Sequence, residues 1–349
     1  MKAVVVRDTG IVEIKDIIEP EPAYDEIKVK IAYAGICGSD SERIAGVKDK
    51  PERPKGAIGW FKEPIRMSNG IKKMGHEGSG TIVKIGKDVR GNFQIGQNVA
   101  MNFIGTCGAC YHCANGMPHF CERPSIFDGL MAEYAVFKEE LVFPLPDNLP
   151  LDVGAFLEPL SVVVHAFDIA KIKVGDSVII TGGGTIGLLM LELAIKSGAA
   201  KVLVSEPIAE KRKMAKRLGA DVVVNPLKEN ILDKSNKLTD GRGFNVCIEA
   251  TGIPSIASQL ILLAGDCGTI VWAATYPKGI KIPVPINYMF SKELSIHSVK
   301  LAPYSFSRAL QMLPKLDLKP LITVYPLEEV VKAYEVHKTG KGIKILIQP

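Results

Sequence analysis

No stretch of this 349-residue chain stays apolar for the roughly 18 residues that a bilayer-spanning helix needs. The most apolar helix candidate, TIGLLMLELAIKSG, is interrupted by Glu192. No membrane-spanning helix is therefore expected, and no membrane partner. The opening residues, MKAVVVRDTGIVEIKD, lack the long apolar core and small-residue cleavage site of an export signal. A cytoplasmic location and reduced thiols are the expectation that follows. A large excess of one charge is missing as well, and a formal net charge of +5 gives no reason to expect nucleic acid. There is no internal repeat and no low-complexity segment.

The length itself exceeds what one ordinary core encloses, so two domains are expected. With 47% hydrophobic and 23% charged residues the composition is globular. The first 150 or so residues alternate short β-rich runs (KAVVV, EIKVKIAYA, EGSGTIVKIG, NVAMNF, AEYAVF) with glycine and proline turns. That texture suits a barrel-like or irregular β domain. From about residue 155 strands alternate with helical spacing: SVIIT, KVLVS, DVVVN, FNVCIEATG, GTIVWAA and LSIHSV. Such alternation reads as an α/β architecture, a parallel sheet covered on both faces. The tail returns to a helix and a final strand.

Three constellations carry chemistry. Gly182, Gly184 and Gly187 form GxGxxG directly after SVIIT, and Thr185 and Ile186 between them open an apolar helix. The glycines allow a tight turn and close approach to a pyrophosphate, which a helix N-terminus stabilises. The next strand ends at Glu206, where a carboxylate would bind ribose hydroxyls and repel a 2′-phosphate. NAD is therefore expected over NADP; packing alone is the bland alternative.

Cys107, Cys110, Cys113 and Cys121 follow a CxxCxxCx7C spacing. Two disulfides are disfavoured in a reducing compartment. Four thiolates close a tetrahedral zinc shell with no open position, which makes such a site structural. An iron–sulfur cluster is the alternative.

Cys37, alone in the polar stretch GICGSDSERIAG, would ordinarily be a small buried hydrophobe. MGHEGSG, however, sets His76 beside Glu77. This is not HExxH, because Gly80 stands where the second histidine would be. A thiolate, an imidazole and a carboxylate are nonetheless a set that zinc accepts. Glu158, in the apolar stretch AFLEPLSVVVHA between the two textures, needs a polar partner and is the fourth candidate.

With GICGSD, GHEGSG, the cysteine lobe, LEPLSVVVHA, GGGTIG, EATG and KPLITVYPLEEVVKAYE in this order, the chain resembles the zinc-dependent medium-chain dehydrogenase/reductase family. It is most similar to the sorbitol and polyol branch, near galactitol-phosphate, threonine and inosose dehydrogenases. The resemblance implies a GroES-like β-barrel catalytic domain over 1–154 and 296–349, with a zinc lobe at about 105–123. It implies a Rossmann NAD-binding domain over 155–295. It also implies two zinc ions per chain: a catalytic one held by Cys37, His76 and Glu77, with Glu158 as a further ligand or just behind, and a structural one on the lobe cysteines. Family members are mostly homodimers or homotetramers.

The expected reaction is oxidation of a secondary alcohol to the ketone, with Ser39 as first proton relay. Glu42 stands where many relatives carry a histidine relay. Arg43, and Leu301 with Ala302 after Lys300, replace residues that line a polyol site in sorbitol dehydrogenases. Residues 46–73 hold eight Lys or Arg against three acidic residues, a solvated loop or an attraction for anions. The expected substrate is a polyol, cyclitol or sugar. A sugar-alcohol phosphate or sugar acid, met by Arg43 and Lys300, is the alternative, and an amino alcohol a further one. A non-catalytic NAD-binding protein on the same fold is the remote reading.

Overall fold

The structure, a computed structural model, describes residues 1–7, 10–44, 71–127, 129–276 and 279–349, without the side chains at 41–43, 71 and 72. Glu42 and Arg43 as side chains, and residues 46–70 of the basic stretch, thus lie outside the described residues. The chain forms two compact units, Met1–Ser161 with Pro303–Pro349, and Val162–Ala302.

In the first unit the strand Glu26–Gly35 is the hub. It pairs antiparallel with Glu77–Ile85 and with Tyr134–Lys138 along its length, and at its end with Lys344–Gln348. Ile27, Val29 and Ile31 alternate onto the core face, as a half-buried strand requires. They pack with Val4, Ile82 and Phe137. The register matters for function. Gly35 lies opposite Glu77 on one side and Leu346 on the other, so two distant segments meet at its backbone. Asn98–Met101 and Val142–Pro144 extend the same sheet, and Val12–Asp16, Lys2–Arg7 and Ile71–Lys73 form a small second one.

The second unit holds a six-stranded parallel sheet. Its spatial order is Val222–Val224, Lys201–Ser205, Ser177–Thr181, Phe244–Glu249, Ala264–Trp272, Ser295–Ser298. The order reverses next to the first strand, the place where such sheets seat ligands. Ser177–Thr181 is buried along its whole length, which is why it reads as a continuous apolar run. The helix Leu157–Ala170 is continuous across the change of unit, and Ser295–Ser298 completes the parallel sheet. For those reasons the units change over after Ser161 and after Ala302, a few residues beyond the boundaries drawn from the sequence. Among the described residues no helix is long and apolar enough to cross a membrane.

Candidate active site

Cys37 stands two residues past the hub strand, just before the helix Gly38–Ile44, and Glu77 begins the neighbouring strand after His76. Single ligand atoms of Cys37, His76 and Glu77 lie within 4.8 Å of one another. His76 and Glu77 are buried.

Asp40, fully buried and absent from the sequence reading, organises this group. Its Oδ2 accepts the Cys37 N–H at 3.0 Å, and its Oδ1 stands 3.4 Å from His76 Nδ1. A carboxylate beside Nδ1 holds the proton there and presents Nε2 as the donor. Burial opposes the charge on His76, but the hydrogen bonds to Asp40 and Cys37 outweigh it and raise His76 well above its usual value. Burial likewise pushes the Cys37 thiol up. His76, with the Ser39 hydroxyl, overcomes that and brings the thiol down to about 7, so a thiolate is available near neutrality. Ser39 is half-buried.

Lys344 is the second residue that sequence reasoning missed. Its Nζ is ion-paired with Glu77 Oε2, and the two side chains are 1% and 3% exposed. Nζ also lies 5.9 Å from the centre of the Phe156 ring. Burial pulls Lys344 down to about 8, against the opposing charges of Cys37 and Asp40. A Cβ at Gly35 would meet Glu77 Oε2 and Lys344 Nζ, so a side chain there displaces the ion pair. The available signal was one lysine heading the otherwise apolar strand KILIQ, since a buried cation requires a partner.

Glu158, in the first turn of its helix, is buried but is not among the atoms gathered within 4.8 Å. Burial pushes its carboxyl up to about 7; His76 opposes this, while Cys37 and Asp40 add to it. The expected fourth donor is thus close enough to feel the set without joining it. Lys300 is an exposed residue of the second unit.

The lobe brings Sγ of Cys107, Cys110, Cys113 and Cys121 within 4.8 Å of one another. None of the seven cysteines is disulfide-bonded. Backbone N–H groups of Cys107 and Arg123 point at Cys121 Sγ, and that of Glu122 at Cys110 Sγ, each at 3.3 Å. Backbone hydrogen bonds at Ala109 and Cys110 bring the Cys107 thiol down to about 6. Such N–H groups favour thiolates, the form that ligates. The donor sets therefore fit zinc at both places: four thiolates in the lobe, and a thiolate, an imidazole and a carboxylate at Cys37.

In the second unit Gly182 takes φ +98°, and a Cβ at Gly187 would strike the Gly182 carbonyl. Gly184 is the N-cap of the helix Thr185–Lys196 and brings no side chain to cap its first N–H groups. Those groups are the anion-binding end of the helix. Glu206 is buried, and its carboxylate accepts the N–H of Gly183 at 2.6 Å and of Ile208 at 2.8 Å, which seats it against the turn. Also missed by the sequence reading, Arg212 donates to the carbonyls of Glu206 and Pro207 at 2.8 and 2.6 Å. Glu249 is fully buried at the end of its strand and accepts from Thr251 N at 2.7 Å, from Gly252 N at 3.1 Å and from the Tyr276 hydroxyl. The loop it holds touches Gly182.

Residues 23–147 match the alcohol dehydrogenase GroES-like domain, and residues 185–315 the zinc-binding dehydrogenase family. The chain belongs to the zinc-dependent medium-chain dehydrogenase/reductase family. Its first unit carries the GroES-like fold and its second the Rossmann-like sheet. It is 32% identical to L-threonine 3-dehydrogenase of Pyrococcus furiosus over 345 residues, 96% of this chain and 94% of that one. Galactitol-1-phosphate dehydrogenase from Escherichia coli superposes with a TM-score of 0.85 at 29% identity, covering 100% of both chains. A zinc-binding dehydrogenase from Sinorhizobium meliloti 1021 bound to NADP gives 0.88 at 28% identity, covering 100% of this chain and 99% of that one.

Proposed function

We propose that this dehydrogenase oxidises the secondary alcohol of a polyol, cyclitol or sugar to the ketone, with NAD as acceptor and two zinc ions per chain. The observation that carries the reading is the convergence of Cys37, His76 and Glu77 within 4.8 Å, three donors that leave the fourth position of a tetrahedral zinc unfilled. Bound there, zinc supplies Lewis acidity toward an alcohol oxygen, and NAD on the glycine turn supplies the hydride acceptor.

The chain's own residues do the rest. Cys37, His76 and Glu77 hold the metal, and Asp40 fixes the His76 ring. Lys344 steadies Glu77 and offsets one negative charge of the set. Glu158 swings toward the set and away from it, and Ser39 leads the alcohol proton outward. Gly182, Gly184, Thr185, Ile186 and Gly187 receive the pyrophosphate, and Glu206 takes the ribose diol. A 2′-phosphate would meet the Glu206 carboxylate, which supports NAD over NADP. The NADP carried by the Sinorhizobium meliloti relative makes the choice an experimental one. Cys107, Cys110, Cys113 and Cys121 hold the structural ion.

A phosphorylated sugar alcohol is the second reading, supported by the likeness to galactitol-1-phosphate dehydrogenase. A cytoplasmic homodimer or homotetramer is proposed as the working form. The sheet ends in the exposed edge strand Ser295–Ser298, and Ile286 and Phe290 beside it are 77% and 85% exposed. An edge of that kind ordinarily pairs or is covered. Purified protein should contain two zinc per chain and reduce NAD with one member of a panel of polyols, cyclitols, their phosphates, sugar acids and L-threonine. Two zinc with no turnover on any alcohol would overturn the enzymatic reading.

A further inference from the structure

The cysteine lobe carries more donors than four thiolates use. The helical turn Tyr111–Ala114 and the residue after Cys121 bring Cys110 Sγ, a His112 ring nitrogen and a Glu122 carboxylate oxygen within 4.8 Å of one another. His112 Nδ1 lies 3.3 Å from Glu122 Oε1. That nitrogen is itself buried, yet it makes no hydrogen bond among the described residues. A ring nitrogen and a carboxylate oxygen at this separation are in an arrangement that a cation satisfies. Their separation also fits: two ligands bound tetrahedrally at about 2.0–2.1 Å stand about 3.3–3.4 Å apart. Cys110 Sγ is oriented by the Glu122 N–H at 3.3 Å, so the third donor is held by the same residue that supplies the second.

We propose that Cys110, His112 and Glu122 form an auxiliary site for a zinc-type divalent cation, with Cys110 bridging it to the four-thiolate site. The proposal rests on the reading that the four lobe cysteines hold zinc. Thiolate with imidazole selects zinc, cobalt(II) or cadmium over magnesium or calcium. The side chains of His112 and Glu122 are 27% and 37% exposed, so the fourth position faces solvent and the ion exchanges. Because the thiolate is shared, this site binds more weakly than the closed one beside it.

Metal counting on the full-length protein tests this. The chain is dialysed against rising free zinc, wild type beside His112→Ala and Glu122→Gln. Wild type takes up one further zinc beyond its tightly held ions, and that uptake weakens at least tenfold in each variant while the tight zinc is unchanged. In cadmium-113 NMR, filling the added site shifts the resonance of the four-thiolate ion, because Cys110 belongs to both. Equal uptake in wild type and both variants, or none above the tight zinc, overturns the auxiliary site. Cys107→Ser keeps the two readings apart. Loss of tight zinc there supports the four-thiolate ion, and its retention overturns that reading and the bridge with it.

Discussion

Lys344 and Glu77, 267 residues apart, form a buried ion pair beside the Cys37–His76 donor group. The backbone of Gly35 brings them together, and a side chain there would displace both. The pair couples the last strand of the chain to the candidate metal centre.

Replacing Lys344 by Met leaves the Glu77 charge buried without its partner. Removing one member of such a pair costs about 3–5 kcal/mol. Denaturant unfolding of zinc-chelated protein should show a loss of that order for Lys344→Met. Lys344→Arg, which keeps the charge in a larger head, should lose less. Gly35→Ala should resemble Lys344→Met, because its methyl group displaces the same two atoms.

Glu206 should decide the cofactor. Losing a charged hydrogen-bonding partner costs about 1.5–3 kcal/mol, so Glu206→Ala should lower kcat/KM for NAD by about 10- to 100-fold. The same change should raise kcat/KM for NADP, because a repelling carboxylate is gone and Arg212 remains beside the turn. Steady-state kinetics with both cofactors check it. An unchanged preference contradicts the assignment.

The buried Glu158 makes stability depend on pH. Its carboxyl is raised from 4.5 to about 7 by burial, so between those values the folded chain binds more protons than the unfolded one. Stability from this group is fully present below pH 4.5 and is lost as the pH rises to about 7. Glu158→Gln removes the effect. In zinc-chelated protein the variant should match wild type at low pH and exceed it above neutrality, by on the order of 3 kcal/mol. Unfolding measured across the range reads the difference directly.

The lobe should be separable from the chemistry. Cys113→Ser should lose one zinc per chain and lower the thermal midpoint before it alters kcat, because the four thiols lie together with no position left for substrate. Metal content and turnover on the same sample test this. Loss of turnover with the lobe zinc intact would contradict it.

The parallel sheet was legible because each of its inner strands is a short apolar run closed by a turn, and SVIIT runs straight into a glycine turn and a helix. Cys37, His76 and Glu77 stood out as donor types that zinc accepts, and Glu206 as the carboxylate that follows the strand after the glycine turn; the fold sets His76 and Glu77 at the start of one strand and Cys37 two residues past another. Asp40 stood in plain view three residues after Cys37, but its task, serving Cys37 N and His76 Nδ1 at once, depends on the fold of two segments. Lys344 was hidden more deeply. Nothing local joins the terminal strand to Glu77; only the antiparallel register at Gly35 does. Glu158 stood out as a carboxylate in an apolar stretch and is buried, while its separation from the donor group follows from the fold and not from any local pattern.

The proposed alcohol oxidation depends on a metal held by Cys37, His76 and Glu77. Zinc counted in Cys37→Ala, with NAD reduction by the best alcohol substrate followed on the same sample, tests it most directly. One zinc per chain instead of two, no detectable turnover and unchanged NADH binding are expected. Full turnover with one zinc gone, or two zinc still present, would contradict it.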